Sequence, residues 1–136
     1  MDRTLQLLGI AKKAGLLAVG GDDVSAATRN GKAWLVISAG DASEGTIRRA
    51  RINAETGNAF HTVSPYTKFE IGTMTRRGSP GTVAILDAGL ACAFLKGLAE
   101  TDPEQYKETA ERLAQEARKF EERKKRPPSG NRRTAQ

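Results

Sequence analysis

Residues 5–31 read LQLLGIAKKAGLLAVGGDDVSAATRNG, and the order of signals in this stretch decides the architecture. Leu5, Leu8 and Ala11 recur at helical spacing, and Leu7 and Ile10 widen the stripe. Asp2 or Thr4 can cap this helix, since each offers a side-chain oxygen to unpaired backbone N–H groups. Lys12 and Lys13 fall in its last turn, where the carbonyl end favours positive charge. Gly15 suits the left-handed residue that follows. A short strand over residues 16–19, LLAV, comes next. Gly20 and Gly21 allow a tight turn and close backbone approach. Asp22 or Asp23 is the expected cap of a second helix running to about Asn30 and stopping at Gly31. Val24, Ala27 and Thr28 make its inner face.

Outward from this stretch the alternation continues. Residues 33–39, AWLVISA, form an unbroken apolar run rich in β-branched residues, as a central buried strand requires. Asp41 or Ser43 can cap the next helix, which is weakly apolar through Ile47, Ala50 and Ala54 and basic outside through Arg48, Arg49 and Arg51. Residues 60–63 read as a strand that Ser64 and Pro65 break. TKFEIGTMTRR then reads as a short helix with Phe69, Ile71 and Met74 inward, and RRGSPG as a loop. TVAIL over residues 82–86 is a further buried strand, and Asp87 opens a helix through AGLACAFLKGLAE. The pattern predicts a three-layer α/β/α sandwich with a mixed sheet of about four strands, plus a C-terminal charged helix. There is no internal repeat.

From Asp102 the composition changes to nearly continuous helix formers, with Asp102 as cap, Pro103 in the first turn and Pro127 with Pro128 as the stop. Tyr106, Ala110, Leu113, Ala117 and Phe120 recur at 4, 3, 4, 3 spacing, too short a stripe for a sustained coiled coil. The helix is expected to dock this stripe on the domain or on a partner. The expected organisation is a domain over residues 1–100, an appended amphipathic helix over 101–127 and a disordered basic tail over 128–136.

Residues 1–100 hold 12 Lys and Arg against 9 Asp and Glu; residues 101–136 hold 10 against 7, so each part carries +3. A basic balance spread along the chain favours an anionic partner, nucleic acid before others. The single cysteine, Cys92, allows no internal disulfide and sits in the apolar run LACAFL, which reads as a buried thiol. The N-terminus lacks the features of a signal peptide, and no apolar run approaches a membrane span. A cytoplasmic, monomeric protein away from membranes is the expectation. His61 is the only histidine and reads as a partly buried structural residue, so no zinc set and no Cys–His pair is credible. GGDD lacks the pattern of a phosphate cradle, and two carboxylates at a helix start repel phosphate. Metal, cofactor and catalysis are all unexpected. The carboxylates do suit a base: guanine presents two N–H donors that a carboxylate accepts together, most freely from an irregular RNA element.

Taken together, LLGIAKKAGLLAVGGDDV, AWLVISAGDAS and FEIGTMTRRGSPGTVAILD, in this order, resemble the kink-turn-binding ribosomal protein superfamily that includes large-subunit ribosomal proteins seven-Ae and thirty-e. The branch most similar is that of the small bacterial YlxQ-like proteins, and the resemblance covers about residues 3–99. It implies an α/β/α sandwich that binds kink-turn or ribosomal RNA without cofactor or catalysis. The implied contacts are Gly20, Gly21, Asp22, Asp23 and Val24 in one loop and helix start, and Arg76, Arg77, Gly78 and Ser79 in a second loop. Lys12, Lys13, Arg29 and Lys32 are the further expected phosphate contacts. Asp22 stands where the family has Asn, Asp23 where it has Glu, and Ala26 where it has Lys. The last change removes a guanine or phosphate contact of about 1–3 kcal/mol. The alternative expectation is an adaptor whose C-terminal helix binds a ribosome-associated or RNA-processing protein.

Overall fold

The computed structural model describes residues 2–125; the residue 128–136 tail and the stop at Pro127 lie outside them. The first helix, α1 (Arg3–Lys13), starts where Asp2 accepts hydrogen bonds from the N–H groups of Thr4 at 2.8 Å and Leu5 at 3.1 Å. The elements then follow as β1 (Leu17–Val19), α2 (Gly21–Arg29), β2 (Leu35–Ser38), α3 (Glu44–Thr56) and β3 (Phe60–Val63). They continue with α4 (Lys68–Thr75), β4 (Thr82–Ile85), α5 (Ala88–Thr101) and α6 (Pro103–Lys125). Several caps are the expected ones. Ser43 accepts from Thr46 N–H at 3.1 Å, Asp87 from Leu90 N–H at 2.9 Å and Asp102 from Gln105 N–H at 3.3 Å.

The four strands form one mixed sheet in the order β1-β4-β2-β3. β4 is antiparallel to both neighbours, pairing Val83 with Val19 and with Ile37, while β2 and β3 run parallel with Leu35 beside Phe60. β1, β2 and β3 therefore finish at the same end of the sheet, where β4 begins. We call it the upper end. Side chains alternate across the sheet. Leu35, Ile37, Val83 and Ile85 face α1, α4, α5 and α6, in a core of large residues that includes Leu8, Ile71, Phe94 and Leu98. Val36 and Ala84 face α2 and α3, where Ala27, Ala50 and Ala54 let both helices lie close. This is the three-layer sandwich the alternation predicts.

α6 is part of the larger core. It runs from the upper to the lower end beside α5 and β3. The Tyr106 hydroxyl donates to the Val63 carbonyl at 2.8 Å, Arg112 lies over the Phe60 ring at 5.7 Å, and Phe120 meets Trp34 edge to face at 5.3 Å. Tyr106 and Leu113 are buried, and full burial of such side chains contributes about 1.5–3 kcal/mol each. The stripe docks within the chain. One inward assignment fails on α4: Ile71 is buried but Phe69 is 73% exposed. Two residues along a helix turn through about 200°, so Phe69 and Ile71 cannot share the core face. Cys92 is half-buried rather than buried. Among the described residues no helix is long and apolar enough to cross a membrane.

Candidate functional site

Strand direction brings the two expected contact loops together. β1 exits the sheet beside the point where its antiparallel neighbour β4 enters. Gly20 N–H donates to the Thr82 carbonyl at 3.0 Å, and Arg77 pairs with Asp23 at 3.7 Å. Loop 76–81 is seated on α4, because a side-chain carbon at Gly72 would overlap the Gly78 carbonyl. Arg76 closes α4 in the left-handed region, with φ of 59°. A glycine holds that conformation without cost, whereas arginine gives up about 1 kcal/mol, and such positions gather at functional sites.

The start of α2 differs from expectation. Neither Asp22 nor Asp23 caps it. The cap residue is Gly20, with φ of 92° and ψ of 160°, and no side chain bonds to the first turn. Positive φ selects glycine, and glycine has no side-chain oxygen. The uncapped N–H end and two exposed carboxylates therefore lie side by side, donors next to acceptors. Val24 does not join them: it is fully buried against the sheet, so its side chain is a core residue and reaches no ligand.

A groove of about 660 Å³ opens beside this helix end. Gly21, Asp22 and Ser79 line one part of it; Ser43, Thr46 and Arg49 of the α3 side line another, together with Lys68. Thr82 also lines it. Its hydroxyl is buried and makes no hydrogen bond among the described residues. A buried polar group without a partner costs about 1–3 kcal/mol, and Thr82 carries that cost in the wall of the groove. Arg49 belongs to the basic outer face legible in the sequence. Thr82 carries no sequence signal, because its loneliness depends on what packs around a strand residue.

The remaining expected residues separate into two places. Lys12 and Lys13 line a second groove, between α1 and α4, together with Arg76. They extend the basic surface behind loop 76–81, with the exposed Ile10 on the same groove. Arg29 and Lys32 stand apart. The 9-residue α2 puts Arg29 about 12 Å along the axis from Gly21, and the Arg29 guanidinium donates to Ser25 Oγ at 2.7 Å. Lys32 lies at the lower end of the sheet beside Trp34. Sequence proximity misled here because a helix carries its two ends to opposite sides of the fold.

His61 is away from both grooves. Its Nε2 is 2.9 Å from Ser38 Oγ. Burial, and then the nearby Arg51 charge, lower its pKa to about 4, so it is neutral at pH 7. Burial pushes the Cys92 thiol up, away from the reactive thiolate.

The order β1-β4-β2-β3 between two helical layers, with loops converging at one end, defines a small α/β/α sandwich with its polar site on that end. No protein-family model and no curated protein matches the chain in sequence. Many solved structures share the fold, and two of them show its range. A protein of unknown function from Bacillus halodurans C is 23% identical, with a TM-score of 0.65, and the match covers 72% of this chain and 98% of that one. The Giardia lamblia 15.5 kD RNA-binding protein is 18% identical, with a TM-score of 0.55, over 71% of this chain and 82% of that one. At these identities the likeness establishes the fold.

Proposed function

We propose that this chain is a non-enzymatic RNA-binding protein that recognises structured RNA, kink-turn-like or ribosomal, through the upper end of its sheet. The observation that carries the reading is the uncapped start of α2, with Asp22 and Asp23 exposed and Asp22 opening onto the groove that Thr82 also lines. A base with both donors and acceptors on one edge, guanine foremost, matches a site that offers backbone N–H groups next to carboxylates. Asp22 and Asp23 accept from the base, Gly20 and Gly21 let its ring approach, and Arg76, Arg77, Arg49 and Lys68 hold the flanking phosphates. Ser79 borders the groove from the second loop, and Gly78 seats that loop on α4. Lys12 and Lys13 continue the phosphate track past Arg76. The fold shared with an RNA-binding protein from Giardia lamblia supports the reading, as does the resemblance of residues 3–99 as a whole to kink-turn binders. A cytoplasmic location suits such a partner.

The test is a titration of the full chain with an RNA carrying a kink-turn internal loop and with a plain duplex of equal length, at several salt concentrations. Tighter binding of the looped RNA at every salt concentration is expected. Equal affinity for both, falling steeply with salt, would reduce the function to general phosphate attraction and sink base readout.

A further inference from the structure

The lower end of the sheet holds a second surface with a different chemistry. Phe120 of α6 meets Trp34 edge to face there, and the two rings line a groove of about 720 Å³. Trp34 is half-buried, and Phe120 is 36% exposed. Lys32 and Arg123 also line the groove, and no carboxylate does. Neither cation is paired with a carboxylate among the described residues. The groove also contains residues from the ends of α1, α2 and α3, namely Gly15, Gly31 and Gly57.

These features select one kind of occupant. The negative ends of three helix dipoles lie at the groove, their last carbonyls already accepting from the chain's own N–H groups, as Lys12, Thr28 and Asn53 do from Gly15, Gly31 and Gly57. An anion inside it is disfavoured. A flat uncharged ring packs against the aromatic wall. The negative charge that such a ring carries with it has to sit at the rim, where Lys32 and Arg123 stand. Lys124, 5.5 Å from the Phe120 ring centroid, pairs with Glu121 at 4.0 Å and adds no net charge to the rim. Past Trp34 the adjoining groove sets Glu55 and Glu116 against Arg112 and Arg123, so the unbalanced positive charge lies on the Lys32 side. Base inward and phosphate outward is the arrangement of an unpaired nucleotide. A duplex hides its base faces and edges and offers only phosphates.

We propose that the groove formed by Trp34, Phe120, Lys32 and Arg123 binds an unpaired nucleotide of single-stranded RNA. It shares a ligand class with the upper-end site but none of that site's residues, so the two readings can fail separately. α6 builds half of it, which gives that helix a role beyond covering the sheet.

Trp34 is the chain's only tryptophan, so its emission reports on this groove directly. Short oligouridine added to the full chain is expected to quench Trp34 saturably, and a blunt duplex of equal charge is not. The double variant Lys32→Gln with Arg123→Gln changes two exposed side chains, leaves the fold in place and is expected to weaken the quenching titration about tenfold. Asp23→Ala, in the upper-end site, is expected to leave it unchanged. Oligouridine that binds by fluorescence anisotropy without altering Trp34 emission would overturn the proposal, as would no binding at all. Equal quenching by the duplex, unchanged affinity in the double variant, or loss of quenching in Asp23→Ala would each do the same.

Discussion

The two ends of the sheet are built on opposite principles. At the upper end the chain keeps an uncapped helix, an orphan threonine hydroxyl and an arginine in the left-handed region, each of which lowers stability, beside two exposed carboxylates of which Asp23 pairs with Arg77. At the lower end α6 brings apolar and aromatic side chains over the sheet, and Leu113, Phe120 and Trp34 close the seam. A small domain can hold a costly recognition site at one end when its other elements supply the stability. α6, together with α5, is the element that enlarges the core here.

The comparison breaks first if α6 proves dispensable. Leu113 is fully buried in the larger core, so Leu113→Ala is expected to destabilise the fold by about 2–5 kcal/mol in urea unfolding. A loss well under 1 kcal/mol would show that α6 only rests on the domain, and the proposed division between ends would fall. The next effect lies at the other end and should spare stability. Asp23 does not cap α2, and its pair with Arg77 is exposed, so Asp23→Ala is expected to cost less than about 1 kcal/mol of folding energy. The same change should weaken binding of a looped RNA by about 1–3 kcal/mol, roughly five- to 150-fold. If stability and affinity fall together, the residue is structural after all.

The layers and the element order were legible from residues 5–101 alone. Periodicity of two or 3.6 shows which side chains share a face, and Asp2, Ser43, Asp87 and Asp102 cap helices as their positions predict. What covers a face is not legible that way. The Tyr106–Leu113–Phe120 stripe announced an amphipathic helix, yet nothing in its spacing distinguished its own domain from a partner. The site was legible in part for the same reason. Asp22 and Ser79 line one groove and Asp23 pairs with Arg77 because β1 and β4 are antiparallel neighbours, a pairing no single segment encodes, while Arg76 lines the second groove with Lys12 and Lys13. Gly20 outcompeted both aspartates for the cap position because only a glycine tolerates that φ cheaply. Arg29 and Lys32 were lost to the site through the length of one helix.

Smaller effects sharpen the claim that the upper end gives up stability for binding. Arg76→Gly relieves a left-handed arginine, and Thr82→Val removes an unpartnered hydroxyl at nearly constant shape. Each is expected to raise folding stability by about 1 kcal/mol in chemical denaturation while weakening RNA binding. Variants that stabilise and bind equally well would show that these residues are merely tolerated.

The last predicted effect concerns His61, which belongs to neither end and should behave as a structural group. Its folded pKa, about 4, lies below the ordinary value of 6.5 because burial and Arg51 disfavour the charged ring. The unfolded chain therefore takes up a proton near pH 6.5, while the folded chain resists until about pH 4. Stability from this group is fully present above 6.5 and drains away as pH falls toward 4. Between pH 7 and pH 5, above the range where most carboxylates titrate, the native chain should lose about 1–2 kcal/mol of stability, read as a lower urea midpoint. His61→Gln can keep a hydrogen bond to Ser38 Oγ but has no proton to take up, so its midpoint should stay level over the same interval. RNA affinity of that variant at pH 7 should match the native chain. A drop there would place His61 within reach of the ligand and undo the separation between the recognition end and the body that holds it.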